Sequence, residues 1–227
     1  VPRSHSFFAA EKQDNYLFDL ADILGSIGEL YRIQKKFDYS WPYYVECLKT
    51  RRYLADKYPI KIHLIDLAGI LNNLGECFRE LNNFIKSTQF YNESLSVLRD
   101  MQNKGFDDYE TLLAKVLRNL RKAYYQQGDT KQAVIFYEES LNTYQILMEI
   151  NPRIFLIELA RIKSDFALSL VEVGNFIRAK GFNQEAIQIF RELVSISSNG
   201  ILPDLAATLC NFGVWHYRMN KSSESIP

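Results

Sequence analysis

Residues 118–141 read RNLRKAYYQQGDTKQAVIFYEESL, and this stretch decides the fold. It is amphipathic on both sides of Gly128, a pattern typical of two helices joined by a short turn in which the glycine ends the first helix. The stretch contains no activated nucleophile, no pair of metal ligands and no glycine-rich phosphate loop. It therefore indicates packing and recognition rather than chemistry.

The spacing of large, small and aromatic residues in this stretch recurs along the chain. We number the repeat so that the small residue in the seam between its two helices is position 8. The residues assigned to position 8 are Gly28, Gly75, Arg121, Gly174 and Gly213. They are separated by 47, 46, 53 and 39 residues. Self-similarity of this kind is the signature of a solenoid of stacked helix pairs.

The residue at position 8 is predicted to control helix packing, because a small residue there lets the second helix approach the first closely. We expect Gly75→Leu to overpack the seam at a cost of about 1–3 kcal/mol. Arg121 departs from the pattern, so either its stem extends to solvent or the helix pair is splayed. In the fourth copy we place the turn at AKGF, residues 179–182, with Gly181 as the helix-ending glycine.

The segment LRKAYYQQGDTKQAVIFYEESL, residues 120–141, resembles the tetratricopeptide repeat family, and the resemblance extends from about residue 21 onward. It implies an all-α fold, a right-handed α-solenoid of helix pairs. The spacings exceed the 34 residues of the standard repeat, which indicates longer helices. Long repeats of this sort resemble those of kinesin light chains, cell-polarity adaptors and bacterial peptide-pheromone receptors, which hold peptides.

The punctuation by proline and glycine predicts the domain organisation. We expect one solenoid over residues 15–219, made of four helix pairs and a C-terminal capping helix. The pairs are predicted at 15–58, 62–103, 107–150 and 154–198, and the cap at 203–219. Residues 1–14 are predicted to be a tag remnant or a disordered lead, because VPRS resembles the remainder of a cleaved tag. Residues 220–227 are predicted to be a truncated tail.

Composition limits the classes of function. Lysine plus arginine and aspartate plus glutamate number 27 each, so no net field favours nucleic acid or an anionic membrane. No apolar run reaches the ~18 residues of a membrane span. Three scattered cysteines are typical of reduced thiols in a cytoplasmic protein, and three scattered histidines predict no metal or other cofactor. No nucleophile, base and orienting group can be assembled, so we expect no enzyme.

The resemblance implies that positions 2, 5, 6, 9, 12 and 13 of each first helix face a concave groove. Position 6 is then occupied by Ser26, Asn73, Asn119, Glu172 and Asn211. Three asparagines form a ladder of amides suited to the backbone of an extended peptide. On this interpretation the side chains are exposed, so Asn119→Ala is expected to weaken binding and leave stability unchanged.

Other groove positions add charge. They contribute Asn72, Glu76, Lys115, Arg118 and Lys122 to the predicted contacts. The three basic residues are three and four positions apart on one helical face, and arginine can grip a carboxylate through two hydrogen bonds. An acidic side chain or a free C-terminus is therefore the expected guest. The competing interpretation is that this cluster is an ordinary solvated surface.

Two functions remain open at this point. The first is a non-catalytic scaffold that captures a protein or peptide segment in its concave groove. The alternative is a ligand-sensing regulatory domain of a larger signalling protein. Nucleic-acid binding is disfavoured because the repeats lack a regular pair of base-reading positions.

Overall fold

The protein was analysed as a computed structural model that describes residues 3–196 and 200–224, with side chains at 14, 16–152, 155–196 and 200–221. Over these residues it contains helices and no strand, which confirms the predicted all-α solenoid class. The helices are α1 (Arg3–Ile33), α2 (Phe37–Lys57), α3 (Lys61–Glu80), α4 (Phe84–Asn103), α5 (Glu110–Gln127), α6 (Thr130–Ile150), α7 (Pro152–Glu172), α8 (Phe176–Ile196) and α9 (Leu202–Glu224).

The helix boundaries lie within a few residues of the predicted pairs except at the two ends. Helix α9 continues to Glu224, so residues 220–224 are helical where the sequence predicted a tail. Helix α1 begins at Arg3, so residues 3–14 are helical where the sequence predicted a tag remnant or a disordered lead. The described helices contain no segment long and apolar enough to cross a bilayer.

The chain divides into two compact units, Val1–Asn119 and Leu120–Pro227, with the division inside α5. In the first unit, α1 packs on α2, α2 on α3, and α3 on α4. In the second unit, α6, α7, α8 and α9 pack in sequence, and α9 also contacts α7. The prediction of a single solenoid over 15–219 addresses both units together and stays a prediction.

The turn inside each helix pair repeats the same hydrogen bonds. A residue with positive φ follows the first helix: Lys35 (57°), Asn82 (57°), Gly128 (85°) and Gly174 (80°). The next amide in each turn donates to a carbonyl five residues back, as Asn83 N does to Phe78 O at 2.8 Å and Asn175 N to Leu170 O at 2.8 Å. This is the Schellman arrangement that ends a helix at a left-handed residue.

The turns correct the predicted register of the fourth copy. Gly174 lies in a turn, at the place that Gly128 occupies in the third copy, while Gly181 lies inside α8. Position 8 of the fourth copy is therefore Ala167, which is buried. The residues at position 8 become 28, 75, 121, 167 and 213, so the intervals are 47, 46, 46 and 46 residues.

Position 8 forms the seam of the first two pairs. A Cβ atom added at Gly28 would lie 2.6 Å from the ring of Tyr44, and one at Gly75 would lie 2.5 Å from the ring of Tyr91. Both tyrosines follow the glycine by 16 residues and are fully buried. Only a residue without a side chain fits beneath these rings.

Arg121 occupies the seam of the third pair in a way that the sequence did not predict. Its side chain is only 1% exposed, and its guanidinium carbon lies 4.6 Å from the centroid of the Tyr137 ring. One guanidinium nitrogen, Nη1, lies 3.1 Å from Oδ2 of Asp165 on α7. Of the two predicted alternatives, the arginine stem that extends to solvent is wrong, because stacking on Tyr137 and pairing with Asp165 hold the side chain inside. The splayed helix pair stays a prediction.

Candidate binding face

In the first unit, α1, α3 and residues 110–119 of α5 bring polar side chains to a common surface, here called the candidate face. An ion pair between Arg32 Nη1 and Glu76 Oε1, 3.1 Å apart, joins α1 to α3. Nε of the same arginine donates to Glu29 Oε2 at 2.7 Å, and Tyr44 donates its hydroxyl to that oxygen at 2.7 Å. The charged side chains Glu29, Arg32 and Glu76, at positions 9 and 12, are thus paired with one another.

The protonation state of this network follows from its hydrogen bonds. Donation from Arg32 is the largest effect on Glu29; with the Tyr44 hydroxyl and the charge of Lys115 it lowers the pKa of the carboxyl to about 2. The pKa of Arg32 is raised, mainly by its hydrogen bonds to Glu29. Burial and the bond to Glu29 raise the pKa of Tyr44. At neutral pH the network therefore contains the ionised carboxylate of Glu29, the guanidinium of Arg32 and the neutral phenol of Tyr44.

Two of the predicted binding asparagines are buried: Asn119 of the ladder, and Asn72 at position 5. Nδ2 of Asn119 on α5 donates to Oδ1 of Asn72 on α3 at 2.8 Å. Asn72 is completely buried and Asn119 is only 8% exposed. The structure corrects the prediction of two exposed amides, because this bond links neighbouring repeats and leaves neither amide open to a guest.

Asn211 makes the equivalent bond in the second unit. Its Nδ2 donates to Ser164 Oγ at 3.0 Å, and both bonds join residues 47 positions apart. In the corrected register each bond runs from position 6 of one copy to position 5 of the preceding copy. Position 6 of the fourth copy is Asp165, the partner of Arg121, rather than Glu172. Asn119 and Asn211 at position 6 therefore serve packing between neighbouring repeats.

Asn73 differs from the other asparagines of the ladder. It is half-buried, and its Oδ1 accepts a hydrogen bond from Asn72 Nδ2 at 3.4 Å. Among the described residues, no side chain or backbone group accepts a hydrogen bond from its own Nδ2. An amide donor on the candidate face is therefore available to a guest.

The three basic residues of the predicted cluster, Lys115, Arg118 and Lys122, also differ in whether they already have partners. Lys115 is half-buried, and among the described side chains it forms no ion pair, although its charge acts on Glu29. Arg118 is half-buried and already interacts within the protein. Lys122 is exposed, also has an interaction, and belongs with Asn211 to the second unit. Lys115 is therefore the available cation of the candidate face.

Sequence reasoning missed the network of Glu29, Arg32 and Tyr44. A signal was present, because position 9 is glutamate in the first two copies and position 12 is arginine in both. Opposite charges three residues apart on a helix, repeated in the neighbouring helix, predict an ion-pair ladder between helices. For metals, no group of three or more ligating side chains occurs within the described part of the chain.

Comparisons with known proteins agree with this architecture. The tetratricopeptide repeat family matches residues 66–146. A search of curated protein sequences gave no match. Among solved structures, BtubC (BKLC) from P. vanneervenii is similar with 23% identity and a TM-score of 0.57, over 80% of this chain and 66% of that one.

Two further structures show the same fold at lower identity. Aspartyl phosphate phosphatase F from Bacillus subtilis is 12% identical with a TM-score of 0.61, over 89% of this chain and 51% of that one. Nearly identical TPR-like repeats of a putative kinesin light chain from Podosopora anserina are 12% identical with a TM-score of 0.57. That match covers 89% of this chain and 88% of the other.

This chain thus spans about two thirds of BtubC and half of phosphatase F. Residues 66–146 thus match the tetratricopeptide repeat family, and the similar solved structures share the helical solenoid fold.

Proposed function

We propose that this chain is a non-catalytic scaffold that captures an extended segment of a partner protein on the candidate face of the first unit. A general role in protein interaction follows from the fold, since repeat solenoids present long surfaces for partners. Peptide capture at this face is the further step. The available amide of Asn73 is the observation that carries it.

An extended peptide has backbone carbonyls and amides that need partners when they are desolvated. Asn73 lies between the Arg32–Glu76 ion pair and the Asn72–Asn119 bond, and both of these fix the helices on either side. A side chain on such a rigid support can donate to a guest carbonyl with little loss of conformational freedom.

The charge of the guest follows from which cations are already paired. Arg32 is shared by two carboxylates, Glu29 and Glu76, so it has little capacity for a third. Lys115 has no such partner among the described side chains. We therefore propose that the bound segment carries an acidic side chain or a C-terminal carboxylate near Lys115.

The test is quantitative affinity capture from a native extract with the intact chain as bait, alongside Asn73→Ala and Lys115→Ala. The matched controls are Gln89→Ala and Lys131→Ala, which remove an exposed amide and an exposed ammonium from second helices. A captured partner should be depleted several-fold with either face variant and retained with either control. Lys115→Ala should matter less at high salt, because screening already weakens an exposed charge contact.

If all four variants capture the same proteins in the same amounts as the parent, the candidate face is not the binding surface. Thermal melts of each bait would exclude loss of folding as the reason for a depleted partner.

A further inference from the structure

Helix α9 has the residue pattern of a first helix, and one of its faces is covered by the second unit. Thr208 and Trp215 are buried, and the indole nitrogen of Trp215 donates to Phe176 O at 2.8 Å. Leu205 packs against the apolar cluster of the fourth pair. This covered face of α9 corresponds to the face by which α3 packs on α2 and α7 packs on α6.

Within the described part of the chain the other face of α9 is open, although its equivalents in earlier copies are covered by their second helices. At position 1 all five copies have alanine; the first four are buried and Ala206 is exposed. At position 4, Leu71 is fully buried while Leu209 is 43% exposed. At position 8, a Cβ added at Gly213 would meet no atom within 4 Å.

Internal repeats show what covers such a face. Three second helices carry the segments YYVEC (43–47), FYNES (90–94) and FYEES (136–140). Each has two aromatic residues, one variable residue, a glutamate and a small residue, in that order. In the second pair, Phe90 stacks on Phe78 at position 11 with ring centroids 5.5 Å apart. Tyr91 lies over Gly75.

The last two residues of the motif also make fixed contacts. Ser94 donates its hydroxyl to the carbonyl of Ala68, at position 1, at 2.7 Å. Glu93 pairs with Arg52 on the preceding second helix, α2, with 2.5 Å between Oε1 and Nη2. Phe90, Tyr91, Glu93 and Ser94 of the motif thus each have a defined place on neighbouring helices.

The residues of the fifth copy and of α8 that correspond to Phe78, Gly75, Ala68 and Arg52 are all accessible. His216 supplies a ring at position 11, Gly213 an open seam, and Ala206 an exposed position 1. The equivalent of Arg52 on α8 is Arg191, which is exposed and has no ion-pair partner among the described residues. Arg191 also lines a groove of about 460 Å³ with Ile187, Leu209 and Phe212 between α8 and α9.

We propose that α9 and Arg191 of α8 form a docking surface for an amphipathic helix of a partner protein that carries the pattern aromatic–aromatic–x–Glu–small. The aromatic pair fits His216 and Gly213, the small residue fits Ala206, and the glutamate pairs with Arg191. Charge favours the same occupant, since the described charges of the second half of α9, Arg218 and Lys221, are basic.

The experiment uses a fluorescent synthetic peptide with the sequence of α4, residues 84–103, as a probe of the intact chain. Fluorescence anisotropy measures its affinity for the parent, for Gly213→Leu and for the control Gly181→Leu. Both glycines are helical with open space at Cβ, but Gly181 lies on α8 outside the groove. Gly213→Leu should weaken binding about tenfold or more because the leucine fills the tyrosine seat, and Gly181→Leu should bind like the parent.

A charge swap sharpens the test. Arg191→Glu should weaken binding of the parent peptide, and a peptide with Glu93→Arg should recover affinity for that variant alone. Peptides with Phe90→Ala or Tyr91→Ala should bind several-fold more weakly.

Three results would overturn the proposal. The α4 peptide shows no binding to the parent chain, or it binds equally to parent, Gly213→Leu and Arg191→Glu. In the third, sedimentation velocity shows that the chain alone self-associates through this surface and that Gly213→Leu abolishes the association, so that the occupant is a second copy. Helical circular dichroism of each variant separates loss of docking from loss of folding.

Discussion

The second and third helix pairs fill equivalent seams with the smallest residue and with one of the largest. In the second pair, Gly75 leaves space and the ring of Tyr91 fills it. In the third pair, Arg121 enters the seam and lies over the face of Tyr137. The backbone turns of the two pairs have the same hydrogen bonds, so one scaffold accepts either solution. Local volume and ring geometry, rather than residue class, are what the seam requires.

The largest expected effect is in the second pair. Gly75→Leu places a side chain where even a Cβ lies 2.5 Å from Tyr91, a fully buried ring that has no room to move. We expect a loss of about 3 kcal/mol in the free energy of unfolding, at the upper end for overpacked cores. Urea denaturation followed by circular dichroism measures it. Gly69→Leu, at an open helical glycine of α3, is the control and should be at least as stable as the parent, because leucine is the better helix former.

Arg121 in the third pair should be next in size. Arg121→Ala removes the contact with Tyr137 and the ion pair with Asp165, and it leaves a cavity, so a loss of about 2–3 kcal/mol is expected. Arg121→Met retains most of the volume and should cost under about 1.5 kcal/mol, because an apolar side chain can replace a buried ion. Equal losses for alanine and methionine would mean that charge, not filling of the seam, is what Arg121 contributes.

Loss of the hydrogen bond between Asn119 on α5 and Asn72 on α3 should have a smaller effect on stability. Asn119→Ala leaves the Oδ1 of buried Asn72 without its donor, so we expect a loss of about 1–2 kcal/mol. Asn73→Ala, at the neighbouring half-buried amide, should change the unfolding free energy by less than about 0.5 kcal/mol. Reversal of that order in denaturant melts would show that the amides have been assigned to the wrong roles.

The smallest effect concerns pH and the first pair, whose Tyr44 has the same place as Tyr91 but bonds to Glu29. The pKa of Glu29 is lowered from 4.5 to about 2. Its contribution to stability is therefore fully present above pH 4.5 and is lost as the pH falls toward 2. Glu29→Gln should flatten the decline in melting temperature over that range. A variant whose decline matches the parent would show that the carboxylate is not preferentially ionised in the folded state.

Much of the fold could be predicted because helical periodicity and turn residues are local signals. The helix pairs around Gly75 and Gly128 lie within a few residues of the bounds that repeat spacing, proline and glycine predict. The fourth copy was misplaced because glycine has two uses that look alike in a sequence. Gly75 leaves space in a seam, whereas Gly174 adopts a positive φ in a turn, and the true seam residue is Ala167.

The candidate site was predicted less well, because exposure depends on the neighbouring repeat. The sequence placed Asn73 and Asn119 at the same position 6, yet one is half-buried with an available donor and the other is buried in a bond to Asn72. Asn119 finds an asparagine at position 5 of the preceding copy, while Asn73 finds Gly25, which has no side chain to accept its bond. Equal positions therefore have different partners.

The sequence by itself determined the helix pairs, their period and the small residue in the seam, since each depends on residues that are close along the chain or recur at a fixed interval. Only the tertiary structure decided that Arg121 lies inside, that Asn119 bonds to Asn72, and that Arg32 pairs with Glu76 on the neighbouring first helix. These outcomes depend on which side chain stands opposite across a helix interface. Packing in three dimensions selects that neighbour from residues that are about 16 to 47 positions away.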